Sequence, residues 1–114
     1  MSPLRDAVPP LLSEQSTRVL LTVSRPGFRP GQIVMTPGVA DLERQGKLFT
    51  AIYLRRLLNG DWGDLSDLDR RANDAALKNG DRLLSAYQVT PTLKLWIITE
   101  WDHSVTTLLL PDEY

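Results

Sequence analysis

The stretch RLLSAYQVTPTLKLWIITEWDHSVTTLLL, from Arg82 to Leu110, decides the fold. Arg82–Val89 alternates, with Leu83, Ser85, Tyr87 and Val89 on one side and Leu84, Ala86 and Gln88 on the other. Thr90-Pro91-Thr92 turns the chain. Lys94–Trp101 then sets Leu95, Ile97, Thr99 and Trp101 against Trp96, Ile98 and Glu100. Asp102-His103-Ser104 makes a tight connection and Val105–Leu110 returns as a third strand. Pro111 ends that strand because it offers no amide to a ladder. The last two strands are apolar on both faces, which places them at the centre of a sheet covered by helices on at least one side.

Upstream lies a helical region. Ser66 stands three residues before Asp69, the spacing of a capped start, and Asp67 and Asp69 suit the positive end of a helix. The helix Asp67–Asn79 buries Leu68, Ala72, Ala75 and Ala76 in this reading and stops at Gly80. Gly60–Leu65 is a loop. Leu48–Leu58 is a helix with apolar residues at Leu48, Ile52, Leu54, Leu57 and Leu58. Pro37–Gln45 is a shorter one, with the Thr36 hydroxyl placed to cap and Pro37 at the first helical position. Two strands precede it, Thr17–Ser24 and Gln32–Thr36, antiparallel across the Pro- and Gly-bearing turn Arg25–Gly31. Pro9-Pro10 leaves residues 1–16 as a loosely ordered arm. The expectation is one α+β domain over 17–114, in the order ββαααβββ, with a mainly antiparallel sheet of about five strands and helices on one face.

Composition narrows the chemistry. A chain of 114 residues suits one domain, and the absence of cysteine excludes disulfides, thiol catalysis and thiolate-held zinc. No apolar run approaches the ~20 residues that span a bilayer, and the N-terminus lacks a basic segment followed by an apolar one. A cytoplasmic protein is expected. The net charge of −1 argues against a DNA wrapper, yet residues 1–60 carry +4 and residues 61–114 carry −5. No phosphate loop, metal-ligand cluster or cofactor fingerprint is present, so no cofactor and no metal site is expected.

Several residues remain as candidates. Asp102-His103-Ser104 has hydrolase residue types, but consecutive side chains in a turn point apart and do not build a triad. Asn59-Gly-Asp-Trp-Gly-Asp64 is not a calcium loop, since the sixth position is Asp64 rather than Gly and the twelfth is Arg70 rather than Glu. Trp62 reads as a packing anchor, with a binding role as the alternative. Arg25, Arg29, Lys47, Arg55 and Arg56 could meet phosphates, but no aromatic residues interleave with them. Trp96 and Trp101 fall on opposite faces of their strand, and an exposed one would mark an interface.

Together, Gly60-Asp-Trp-Gly-Asp-Leu65, Ala72-Asn-Asp-Ala-Ala-Leu77, Asp81-Arg-Leu-Leu-Ser-Ala-Tyr87, Trp96-Ile-Ile-Thr-Glu100 and Ser104-Val-Thr-Thr-Leu-Leu-Leu-Pro-Asp-Glu-Tyr114 resemble a family of small bacterial mobile-element proteins. Its members are loosely labelled plasmid-related or restriction-system accessory proteins, and the likeness runs from Gly31 to Tyr114. Trp101 and His103 depart from its pattern. The resemblance implies a gene of plasmids, phages or integrated elements whose product acts on host defence, such as restriction or CRISPR. The resulting expectation is a non-enzymatic protein-interaction module that binds a host or element-encoded protein complex through Asp61, Trp62, Asp64, Trp101 and His103. The C-terminal run is also similar to the end of some small ribonuclease toxins, which would make His103, Arg82, Thr107, Tyr87 and Tyr114 the catalytic candidates. A DNA-binding accessory using the basic first half is the third reading.

Overall fold

The computed structural model describes residues 28–114. Their order is β1 (Gln32–Met35), α1 (Pro37–Arg44), α2 (Thr50–Leu58), α3 (Asp67–Asn79), β2 (Leu83–Thr90), β3 (Leu93–Thr99), β4 (Val105–Leu109) and a 3₁₀ turn at Pro111–Glu113. The class is α+β, as the pattern implies. Among the described residues the sheet has four strands, ordered β1-β4-β3-β2, rather than about five. The first expected strand, Thr17–Ser24, and the arm at 1–16 lie outside the described residues. The sheet is also mixed: β2, β3 and β4 are antiparallel neighbours, while β1 pairs parallel with β4. Three helices and two strands separate β1 from β4, and that length of chain permits a parallel return.

Sequence alternation sorts the sheet into two unlike faces. Leu83, Tyr87, Leu95, Ile97 and Leu108 join Val39 of α1, Leu54, Leu57 and Leu58 of α2, Ala76 of α3 and Trp62 of the loop before it in one core. Leu84, Trp96, Ile98 and Thr107 alternate with them and point to the side away from that core. Within the core, Thr99 and Thr106 are buried opposite each other with their hydroxyls 2.9 Å apart, which satisfies both without water.

The outer edge of β2 is closed by residues that are not a strand. The outward-facing backbone groups of this edge belong to Leu84, Ala86 and Gln88. The Asn73 carboxamide on α3 accepts from the Leu84 amide at 3.1 Å and donates to the Leu84 carbonyl. The Ala86 amide donates to Trp62 O at 3.3 Å, and the Asp64 amide donates to Ala86 O at 2.7 Å. The Asp64 carboxylate accepts from the Gln88 amide at 2.7 Å. Asn73 is therefore a buried side chain of α3. It displaces the expected face of that helix: Asn73 and Ala76 point inward, whereas Leu68 is 70% exposed and Ala72 and Ala75 face water. Gly63 makes the close approach possible. It has φ +81°, and a β-carbon there would stand 2.1 Å from Ala86 O.

A second long-range tie joins the two ends of the described chain. Thr36 sits at the start of α1, but its side chain does not cap that helix. Its hydroxyl donates instead to Glu113, and the same carboxylate accepts from the Gly38 amide and the Leu110 amide, both at 2.9 Å. An anion at the positive end of α1 is the cap. A β-carbon at Gly38 would lie 2.6 Å from that carboxylate. Beyond β3 the strand ends at Thr99, two residues before the expected Trp101, because His103 N donates to Glu100 O at 2.8 Å and turns the chain.

Two stability outcomes follow. Asn73→Ala should cost about 2–3 kcal/mol in denaturant unfolding because it strands a buried amide and carbonyl. Asn73→Asp should cost more at neutral pH because it turns an acceptor toward the Leu84 carbonyl. Glu113 is held below its ordinary value of 4.5 by the Thr36 hydroxyl first, then by the Leu110 amide and the Gly38 amide. Its contribution is present above the ordinary carboxylate range and is lost as pH falls through its lowered value. Glu113→Gln should therefore lower stability slightly at pH 7, solvent screening keeping the loss small at this exposed carboxylate, and flatten the acid limb, as read by unfolding between about pH 6 and 2.

Candidate functional site

The face of the sheet opposite the helices carries one aromatic and cationic patch. Row by row, Arg82 and Glu100 lie side by side at the start of β2, and Leu84, Ile98 and Thr107 form the next row across β2, β3 and β4. Trp96 stands one row on, between Ala86 and Leu109. The 3₁₀ turn carries Tyr114 back over this face. Its ring meets Trp96 edge-on at 5.7 Å, and the Arg82 guanidinium lies over it at 5.8 Å. Arg82 Nη1 donates to the Tyr114 hydroxyl at 3.3 Å.

Arg82, Leu84, Trp96, Ile98 and Tyr114 line a shallow cavity of about 320 Å³. Its lining is mostly apolar side chain, with the guanidinium at the rim. Leu84 is 41% exposed and Tyr114 70% exposed, although both are large and apolar. Trp, Tyr and Arg beside an open leucine are the residue types that anchor protein contacts.

The expected binding residues fare differently. Trp62 is only 2% exposed, and its indole donates to Asp74 at 2.9 Å, so it anchors the loop and is not available as a contact. Asp61 pairs with Arg56 at 2.7 Å and accepts from the Gly63 amide; the Arg56 bond is the main cause of its lowered carboxyl pKa. Asp64 is spent on the β2 edge. Trp101, at 65% exposed, is a surface residue in the β3–β4 turn, one position beyond Glu100. His103 is half-buried at φ +58°, packs edge-on against Phe28 at 5.1 Å, and its Nε2 has no hydrogen-bond partner among the described residues.

The ribonuclease candidates do not converge. Arg82, Tyr114 and Thr107 share the open face. Tyr87 lies on the opposite, helix-covered face, fully buried, donating to Asp61 O at 2.7 Å. Burial pushes its phenol well above the ordinary value, which unsuits it as a base. His103 turns toward Phe28, itself packed on Trp62, which belongs to the helix-side core. The Ser104 amide at 3.1 Å and hydroxyl at 2.7 Å both donate to Asp102 Oδ1, so the turn makes a local Asx bond rather than a triad. The basic first half is partly neutralised too, with Arg44 paired to Asp41 and Arg56 to Asp61.

Sequence reasoning had Arg82 and Tyr114 only in a different role and gave no role in binding to Leu84 or Ile98. Alternation already put Leu84 with Arg82 and Trp96 with Ile98 on single faces of their strands, and that was the available signal. Comparison with protein-family models, curated proteins and solved structures finds no match to this chain.

If the patch is a surface and Trp62 an anchor, substitutions should separate cleanly. Leu84→Asp and Tyr114→Ser should each change unfolding free energy by about 1 kcal/mol or less, whereas Trp62→Ala should cost about 3–5 kcal/mol in the same experiment.

Proposed function

We propose that this protein is a non-enzymatic interaction module that receives a segment of a partner protein on the open face of its sheet. The observation that supports this most is the grouping of Arg82, Leu84, Trp96 and Tyr114 around one apolar hollow on the side of the sheet that, among the described residues, no helix covers. On this face Ile98 is buried, but Leu84 and Tyr114 keep large apolar groups in water. Trp101, exposed at the end of the sheet where Arg82 and Glu100 stand, extends the contact in this reading. The acidic balance of residues 61–114, which supply this face apart from β1, favours a protein over a phosphate backbone. In the mobile-element setting that the sequence resemblance implies, the partner is a host or element-encoded complex, with host defence systems as the first place to look.

The test is affinity capture from nuclease-treated lysate of the protein's own host, with wild type beside Leu84→Asp, Tyr114→Ser and Ile52→Ser. Ile52 is an exposed apolar residue of α2 and serves as the off-site control. Wild type and Ile52→Ser should retain the same protein, and the two face variants should retain it about tenfold less. Equal retention by all four, or retention that nuclease abolishes, would overturn the reading.

A further inference from the structure

Asn59-Gly60 has a chemistry of its own, separate from whatever the open face binds. Of the three asparagines in the chain, Asn59 and Asn79 are each followed by glycine, while Asn73 precedes Asp74. Glycine has no β-carbon to hinder its amide nitrogen, so an Asn-Gly pair is open to internal attack. The glycine nitrogen loses its proton, bonds to the asparagine Cγ and expels the side-chain nitrogen as ammonia. Water then opens the resulting succinimide at either carbonyl and gives aspartate or isoaspartate. Ring closure requires Asn59 to rotate about ψ until its β-carbon eclipses the Gly60 nitrogen. It also requires the carboxamide to lie against that nitrogen while the proton leaves.

The fold opposes each of these movements. Asn59 closes α2 with ψ at 7°, and its Nδ2 donates back to Arg55 O at 3.0 Å, away from Gly60. The Gly60 amide donates to Leu57 O, also at 3.0 Å, which holds the proton that must leave. One residue on, the Asp61 amide donates to Arg56 O at 2.9 Å and the Asp61 carboxylate pairs with Arg56 at 2.7 Å, so the turn is tied on both strands of its path. Attack therefore waits for the last turn of α2 to open. The product does not restore the turn. A carboxylate has no hydrogen to give Arg55 O, and it places negative charge at the negative end of α2. Isoaspartate also inserts an extra backbone atom ahead of Gly63, whose close approach to Ala86 O leaves no slack in the loop.

From this geometry we infer that Asn59-Gly60 is a latent modification site. It is shut while the α2 turn is closed and converts to aspartate and isoaspartate when the turn opens, and the product then holds the loop at the β2 edge loose.

The test follows conversion at all three asparagines by peptide mapping and mass spectrometry while the purified protein stands in mildly alkaline buffer. Asn59 in the folded protein should convert at least about tenfold more slowly than in the urea-unfolded chain. Asp61→Ala and Arg56→Gln each remove the side-chain tie across the turn, and each should speed conversion at Asn59 about tenfold while leaving Asn79 unchanged. In protein converted at Asn59, the amides of Ala86 and Gln88, which the loop holds, should exchange faster, and the amide of Leu84, which Asn73 holds, should not. Conversion of folded Asn59 at the unfolded rate, or a rate that neither variant moves, would overturn the inference. Equal acceleration at Asn59 and Asn79 would do the same, because it reports loss of the whole fold instead of one turn. Unchanged exchange at Ala86 and Gln88 after conversion would overturn the link to the loop.

Discussion

The closure of the β2 edge by Asn73, Trp62 and Asp64 is the constraint on which the rest of this structure depends. An unpaired edge strand has a row of backbone donors and acceptors that must find partners, and here a loop and one helix supply them. The cost is geometric. The loop must pass within contact of Ala86 O, which only a glycine at 63 permits, and α3 must turn a polar residue inward where its apolar pattern would place Ala72. Trp62 and Asp74 then lock the loop to the helix, and Arg56, Asp61 and the Tyr87 hydroxyl lock it to α2 and the core. The side chains of Asn73, Asp64, Trp62, Asp74, Arg56, Asp61 and Tyr87 thus serve the scaffold.

That closure has a functional consequence. Residues that look like a display loop, with aspartates and a tryptophan between glycines, are consumed in holding one side of the molecule together. Among the described residues no helix covers the other side of the sheet. What reaches it is the 3₁₀ turn after β4, tied through Glu113 to the start of α1, and this tie fixes where Tyr114 can lie. The same carboxylate that caps a helix therefore positions an aromatic ring against Trp96 and under Arg82. Among the described residues, the open patch follows directly from the way the scaffold is assembled.

Much of this was legible in the chain. Period-2 alternation in Arg82–Val89 and in Lys94–Trp101 as far as Thr99 sorts the two faces correctly, failing only at Trp101 where the chain has already turned, and Ser66, Gly80 and Pro111 mark real boundaries. Proline and glycine chemistry is local, so it can be read locally. The errors came where a distant partner decides. Asn73 reads as a polar interruption until Leu84 is beside it, and Thr36 reads as a cap until Glu113 takes that place from 77 residues away. Trp62 is the packing anchor that its setting suggests, and its place among the expected contact residues falls because its indole is buried against Asp74, two helical turns into α3. The candidate site is the extreme case, since Arg82 and Tyr114 are 32 residues apart and nothing near either one announces the other.

Amide hydrogen exchange tests the central claim most directly. The amides of Leu84, Ala86 and Gln88 face away from β3 and would exchange quickly on a bare edge. If the loop and α3 close this edge, they should be protected to the same degree as the amides of Leu83, Ser85 and Tyr87, which face β3. Fast exchange at Leu84, Ala86 and Gln88 beside slow exchange at their neighbours would show an open edge, return the loop to the surface, and contradict the division of the molecule into a sealed side and a contact side.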